Sequence, residues 1–125
     1  MEAIDIFGKM VIEARDEAIS SNIYMVEGRM KWPTNEYFTN KLEGFSSSQK
    51  EVIKEIVTKV ADDTIHGLLT SLYNETDTVL LGIKKPEDTE FKNAHALSDG
   101  YNGDLLLDDG WIARFGKYPS IYNEL

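Results

Sequence analysis

Apolar residues recur at helical spacing in two long stretches of the chain. The first stretch, residues 1–20, predicts an amphipathic helix because its apolar residues lie three and four positions apart. These residues are Ile4, Phe7, Met10 or Val11, Ala14 and Ala18. The second stretch, residues 48–73, opens with a capping-box pattern, Ser48-Gln49-Lys50-Glu51, and predicts the longest helix. Its apolar stripe is wide and drifts along the helix, so we expect this helix to pack against more than one neighbour.

The segment between these two helices contains a break and a shorter helix. Trp32-Pro33 marks the break, because the residue before a proline is pushed out of the helical region. A short helix capped by Thr34 or Asn35 is predicted to run to Leu42. Residues 23–34 are compatible with either a short strand or an apolar loop that packs on the core.

The second half of the chain shows the short apolar runs and turn signals that are typical of strands. Residues 78–83 predict a buried strand, and residues 86–103, which are dense in turn-forming residues, predict a loop. Residues 104–107 and 111–115 predict a hairpin around Asp108-Asp109-Gly110, since Asp-Gly is a strong hairpin signal. Because the helices precede the strands, we predict an α+β fold. In it, N-terminal helices, one of them long and central, pack on a small antiparallel sheet from the C-terminal half.

Composition and charge narrow the classes of function. The chain has 125 residues, which predicts a single domain spanning residues 1–125. It has no cysteine, which excludes disulfides, thiolate catalysis and cysteine-bound metal. Its 13 basic and 22 acidic residues give a net charge of −9, and the basic residues are scattered, so neither nucleic acid nor a membrane surface is expected as a partner. With no signal-peptide block and no membrane-spanning stretch, a cytoplasmic location is expected.

His66 is the residue that the sequence places best for chemistry. Asp62 and Asp63 precede it by four and three positions, so a helical wheel puts the three side chains on one polar face. The opposite, apolar face of that wheel includes Val60 and Leu68. One hypothesis is a carboxylate–imidazole site for general-base or metal chemistry. The commoner alternative is a solvated helix face with a charge pair, and on the sequence alone no catalytic residue, metal ligand or cofactor is assigned.

Gly67 interrupts the longest predicted helix. Glycine in a helix interior costs up to about 1 kcal/mol relative to alanine, so its presence needs an explanation. Two explanations are open: another backbone approaches closely at this position, or the missing side chain gives a ligand access.

The last 40 residues combine acidic and aromatic side chains. Residues 86–125 hold eight acidic and three basic residues, a net −5 of the total −9. Such a mixture is typical of a surface for a basic protein partner, in which aromatic side chains anchor and carboxylates steer. The alternative is that the aromatics belong to the core and the acids to turns. The candidate partner-binding residues are Asp99, Tyr101, Asp104, Asp108, Asp109 and Trp111.

The segment from Gly103 to Phe115, followed by Lys117-Tyr118, resembles the C-terminal end of a group of small acidic bacterial proteins of unassigned function. Its sequence is Gly-Asp-Leu-Leu-Leu-Asp-Asp-Gly-Trp-Ile-Ala-Arg-Phe. Some proteins of that group are immunity partners of secreted toxins. The resemblance implies a helical N-terminal part capped by a small antiparallel sheet, and it transfers no active-site residue.

Three classes of function remain open from the sequence. The favoured hypothesis is a non-catalytic binding protein, such as an immunity or inhibitor protein that binds a basic partner such as a toxin, because it agrees with the acidity and the lack of catalytic motifs. A small enzyme or metal-binding protein would use His66 with Asp62 or Asp63. A structural subunit would form a homodimer through the aromatic C-terminal strip, so we expect either a monomer or a homodimer.

Overall fold

Three helices form the N-terminal part of the protein. The computed structural model describes residues 1–29 and 32–123. The helices are α1, Ala3–Val26; α2, Pro33–Lys41; and α3, Ser47–Asn74. Arg15 of α1 bonds to Asp62 of α3, and Glu27, just past α1, bonds to Lys54, so the two long helices run antiparallel. Helix α2 packs against α1.

Short elements make up the C-terminal part. They are β1, Gly82–Ile83; β2, Lys92–Asn93; α4, Ala94–Leu97; α5, Tyr101–Asp104; α6, Trp111–Phe115; and a 3-10 turn, Ile121–Asn123. The strands pair antiparallel, with Gly82 opposite Asn93. Only the end of the strand predicted over residues 78–83 is therefore extended, and its partner comes from the segment predicted as a loop. The fold is mainly helical with a minimal antiparallel sheet, which confirms the predicted α+β class in its coarse form.

Helix α1 extends past its predicted end at Ser20. The side chains of Ser21 and Asn22 both donate to the carbonyl of Ala18, at 3.2 and 2.8 Å, so these polar residues bond within the helix instead of ending it. Residues 23–26 consequently continue α1 and form neither the strand nor the loop that the sequence left open.

Helix α3 begins one residue earlier than predicted, and its capping box lies two residues earlier. The hydroxyl of Ser46 accepts from the backbone N–H of Gln49 at 3.1 Å, and the side-chain oxygen of Gln49 accepts from the N–H of Ser46 at 2.8 Å. Three consecutive serines offered alternative caps, and Ser46 with Gln49 forms the reciprocal pair instead of Ser48 with Glu51.

The hairpin predicted for residues 104–115 is wrong. Residues 111–115 form a helical turn, α6, and residues 105–110 turn back on α5. The turn is so tight that a Cβ on Gly110 would lie 2.2 Å from the carbonyl oxygen of Asp104. A short apolar run flanked by glycine suits a buried helical turn as well as a strand, and here the packing of Trp111 decides between them.

The core lies where α1, α3 and the C-terminal turns meet. Phe7 stands edge-on to Tyr101 and to Trp111, with ring centroids 6.0 and 5.8 Å apart. The indole of Trp111 covers Gly8 so closely that a Cβ there would lie 2.3 Å from the ring. Leu69 brings α3 into the same cluster. Gly8 is therefore a packing requirement of this core.

Replacement of Gly8 by alanine is expected to lower the free energy of unfolding by about 1–3 kcal/mol, because the new methyl overlaps the Trp111 ring. Gly67→Ala is the matched control, since Gly67 is also interior to a long helix, yet a Cβ added there would have no other atom of the described chain within 4 Å. Alanine there should stabilise the folded chain by up to about 1 kcal/mol. Urea denaturation in dilute solution measures both, and equal effects would contradict the packing argument.

Asp5 joins the first turn of α1 to α6. Its Oδ1 accepts from Arg114 Nη2 at 2.7 Å and from Trp111 Nε1 at 3.3 Å. The hydrogen bond from Arg114 is the main cause that lowers the pKa of Asp5, and desolvation by burial opposes it. The ionised carboxylate of Asp5 is thus favoured by the folded state.

Asp5→Asn is expected to weaken the dependence of the free energy of unfolding on pH in the acidic range. Because the folded-state pKa is depressed, the stability that Asp5 supplies is fully present above its unfolded pKa of about 4 and is lost as the pH falls through the folded value. The loss should be about 1 kcal/mol or less, since the side chain of Arg114 is exposed to solvent. Unfolding free energies measured from pH about 6 down to about 2 test this. Glu13→Gln is the control, and an unchanged slope in Asp5→Asn would contradict the prediction.

Candidate interaction surface

Arg15 is completely buried between α1 and α3. Its Nε donates to Asp62 Oδ1 at 2.6 Å, its Nη2 donates to Asp62 Oδ2 at 3.4 Å, and its Nη1 donates to Asp16 Oδ1 at 2.9 Å. Asp62 is buried almost as fully as Arg15. One guanidinium is thus paired with two carboxylates inside the protein, an arrangement that is stable only when the remaining donors are bonded as well.

The remaining donors fix the C-terminal tail. Arg15 Nη1 donates to the carbonyl of Tyr118 at 2.7 Å, and Nη2 donates to that of Pro119 at 3.4 Å. The second oxygen of Asp16 accepts from the backbone N–H of Lys117 at 2.9 Å. Every buried polar side-chain atom in the described ranges has a partner. Arg15 is therefore a structural residue that joins α1, α3 and the tail, and its guanidinium is fully occupied by protein groups.

The structure separates the residues of the carboxylate–imidazole hypothesis. Asp62 points inward to Arg15, so its predicted place on a polar outer face is wrong. Asp63 is exposed, pairs with Lys59 Nζ at 2.5 Å and accepts from the hydroxyl of Tyr122. The hydrogen bond from Lys59 is the main cause that lowers the pKa of Asp63. Both carboxylates are engaged by groups other than His66, and the described residues contain no cluster of His, Asp and Glu arranged to hold a metal.

The two aromatic residues of the predicted partner-binding set lie in the core. Tyr101 is 1% exposed and Trp111 is 0% exposed. No partner can reach these rings in the folded protein, so their predicted role as surface anchors is wrong. The physical reason is that both rings pack around Phe7, where they complete the core.

The four acidic residues of that set differ in exposure. Asp99 is exposed and Asp104 is half-buried in the turns around α5, where the carboxylate of Asp104 accepts from the hydroxyl of Ser98 at 3.0 Å. Asp108 and Asp109 are exposed. Asp99, Asp108 and Asp109 therefore have the solvent access that steering a basic partner requires, and that role stays a prediction.

A broad apolar face of α3 points to solvent. Val52, Ile56, Val60 and Leu68 each leave between 52% and 59% of their surface exposed. Val60 and Leu68 belong to the face that the wheel assigned to the core, and that assignment is wrong. One outward stripe of α3 recurs at steps of three and four residues and carries no charge; it consists of the half-buried Ile53 and the exposed Ile56, Val60, Thr64, Gly67 and Ser71.

A groove of about 490 Å³ separates this outward stripe from α1. Its walls are apolar or small, with Arg15 at one point of the lining. A neighbouring hollow on α1 reaches Trp32, which is 65% exposed. We call the groove walls and the outward stripe together the α1/α3 face. It comprises Ala14, Arg15, Ala18, Asn22, Ile53, Ile56, Val57, Val60, Ala61, Thr64, Ile65, Gly67 and Ser71, and we include the adjoining exposed Leu68.

Gly67 lies on the α1/α3 face in open space. No atom of residues 1–29 or 32–123 would come within 4 Å of a Cβ there, apart from its own helical surroundings. The explanation that another backbone of the described chain approaches Gly67 is therefore wrong. The wide apolar stripe of α3 predicted more than one neighbour, and the described chain supplies α1, α5 and the 3-10 turn.

Comparison with protein-family models, with curated proteins and with solved structures finds no match for this chain. The resemblance of residues 103–118 to small acidic bacterial proteins of unassigned function, some of which are immunity partners of toxins, accordingly stays a prediction. Within the described ranges, no helix has both the length and the apolar content that crossing a bilayer requires.

Arg15→Met is expected to lower the free energy of unfolding by about 3–5 kcal/mol, because it leaves Asp62 charged and unpaired in the interior. The double variant Arg15→Met with Asp62→Leu should recover the part of that loss that comes from Asp62, while Asp16 and the carbonyls of Tyr118 and Pro119 still lack the guanidinium. Urea denaturation of the two single variants and the double variant measures the coupling. A loss below about 1 kcal/mol in Arg15→Met would contradict the structural role.

Proposed function

We propose that this protein is a non-catalytic binding protein that contacts another protein through the α1/α3 face. The observation that carries the proposal is the outward stripe of α3, which leaves branched apolar side chains more than half exposed beside an apolar groove. Contiguous exposed apolar surface of more than a few hundred Å² marks interaction sites in soluble proteins.

The distribution of charge supports the same function. The chain carries a net charge of −9, and more than a quarter of its residues are charged. Nevertheless, the outward positions from Ile53 to Ser71 that define the stripe are uncharged. The interior of a protein interface is depleted in charged residues in the same way. Covering a half-exposed valine or isoleucine contributes on the order of 1 kcal/mol, so several together supply a useful binding energy.

An immunity or inhibitor protein is one form that such a binding protein can take. In that form the acidic pair Asp108 and Asp109 speeds the approach of a basic partner, while the apolar contact holds it. The roles are separable, because the acidic pair follows α5 and lies apart from the groove between α1 and α3.

A photo-cross-linking amino acid at Val60 tests the proposal in the source cell. We expect a protein adduct at Val60 that is absent when the same amino acid replaces Glu90, an exposed residue of the loop before β2. The adduct should disappear when Ile56→Glu places a charge on the same face. The same probe at Asp109 tests the acidic pair separately.

Two results would count against the proposal. One is an adduct pattern at Val60 that matches the pattern at Glu90. The other is an adduct at Val60 that survives Ile56→Glu in a variant whose thermal unfolding is unchanged. An adduct at Asp109 with none at Val60 would move the contact to the acidic turn.

A further inference from the structure

We infer that the occupant of the α1/α3 face is a second copy of this chain, with the two α3 helices antiparallel across a two-fold axis. This inference rests on the proposed binding function and names the partner. The axis passes between Val60 and Thr64, at the middle of the outward stripe. The result is a bundle of four long helices, α1 and α3 from each copy, with the stripes at its centre.

The sizes of the outward side chains favour this arrangement. Along the stripe, the larger Ile53, Ile56 and Val60 precede the smaller Thr64, Gly67 and Ser71, and Leu68 lies beside the smaller ones. An antiparallel pairing about that axis places large against small twice, with Ile53 opposite Ser71 and Val57 opposite Gly67. Beside the axis, Ile56 lies opposite Leu68 and Val60 opposite Thr64. A parallel pairing would set large against large at one end and leave a gap at the other, which interiors packed to normal density do not tolerate.

Gly67 gives a separate reason for a helix as the occupant. Glycine costs α3 up to about 1 kcal/mol relative to alanine. Apart from the surrounding turns of α3, no atom of the described chain lies within 4 Å of the position that a Cβ on Gly67 would occupy. Absence of a side chain lets a neighbouring helix approach closely, and the Val57 side chain of the second copy fills the space in the antiparallel arrangement.

The area of the face suits a dimer. From Ile53 to Ser71 the helix rises about 27 Å, and α1 beside it widens the face to about 20 Å. A flat projection is then about 540 Å² per copy, and the accessible surface of a corrugated face is larger. Two copies together bury about 1,000 Å² or more, which is the size that specific interfaces reach.

The absence of charge on the stripe agrees with a self-association contact. Two chains of charge −9 repel each other, so their contact must lie where charge is lowest. Salt screens this repulsion, with a Debye length of about 10 Å at 0.1 M. Dimer affinity should therefore stay the same or rise between about 50 and 500 mM NaCl, whereas binding of a basic partner by carboxylates should weaken.

Sedimentation velocity over a range of concentrations, with the full chain, tests the inference. We expect a reversible dimer whose dissociation constant rises at least about tenfold in Gly67→Leu, which keeps high helix propensity but fills the closest contact. Val60→Glu should abolish the dimer by burying a charge. Glu55→Leu is the matched control, because it adds a leucine to an exposed α3 position outside the stripe and should leave the dimer unchanged.

Orientation can be tested with single cysteines, since the natural chain has none. In the antiparallel dimer, Val60→Cys and Thr64→Cys chains should form a disulfide when mixed and oxidised. Neither variant alone should link efficiently, because identical positions lie about four residues apart along the axis and exceed disulfide reach. Self-linking of each variant without preference for the mixture would show a parallel pair and overturn the arrangement.

Failure of this inference is distinguishable from failure of the proposed function. The inference that a second copy binds is overturned if the wild-type chain stays monomeric up to about 1 mM. A dissociation constant of that size corresponds to a binding free energy of only about 4 kcal/mol. A dimer that Gly67→Leu and Val60→Glu leave intact overturns the use of this face. If the Val60 probe still yields a face-specific adduct with a different protein, the binding function stands without self-association.

Discussion

The buried pairing of Arg15 with Asp62 determines how the two long helices face each other. A guanidinium inside a protein needs acceptors on several sides, and here they come from α1, α3 and the backbone of the C-terminal tail. Because Asp62 must point at Arg15, the rotation of α3 about its own axis is fixed. The positions on the far side of Asp62 are then turned to solvent, and these carry Ile56, Val60 and Gly67. The same ion pair that ties the fold together therefore exposes the face through which we propose that the protein binds.

Local sequence signals predicted the three N-terminal helices, but they predicted neither the short C-terminal helices nor which side of α3 is inside. The helical periodicity and the serine cap placed the ends of α3 to within one residue. Apolar residues occupy both sides of α3, so a wheel built on hydrophobicity had two acceptable solutions. The wheel assigned the side with Val60 and Leu68 to the core. The contact that sets which side of α3 is inside is the ion pair of Asp62 with Arg15, which lies 47 residues away in the sequence. A wheel does not contain this contact, and it normally places a charged residue such as Asp62 outside. The expectation that α3 has more than one neighbour is confirmed, because α1, α5 and the 3-10 turn all pack against it, while the side that carries Val60 is left open.

The burial of Tyr101 and Trp111, which the sequence predicted as surface anchors, follows from the same rotation of α3. With several branched side chains of α3 turned outward, the core must be built from other residues. Phe7, Tyr101 and Trp111 supply large apolar volume, and the missing side chain of Gly8 makes room for the indole. A helical wheel that counts Val60 and Leu68 as core leaves the C-terminal aromatics free for a surface role. Once those two are outside, the aromatics are needed inside, and the segment around Trp111 coils into helical turns that deliver the ring instead of forming a hairpin.

Two unfavourable features of the isolated chain coincide on one surface. Branched apolar side chains stay in contact with water, which forgoes the transfer free energy that their burial would give. Gly67 lowers the helix propensity of α3, and no neighbouring element of the described chain packs into the space that its missing side chain leaves. A ligand small enough for the groove alone would cover Ile56 and Val60 but would leave Gly67 and Ser71, which lie beyond the groove, uncovered. A helix laid along the whole stripe covers all of these positions, and only an occupant with its large residues opposite Gly67 and Ser71 packs without gaps. The α3 stripe of a second copy, running in the opposite direction, presents its side chains in this order of size. One occupant therefore covers the exposed apolar side chains and fills the space beside Gly67.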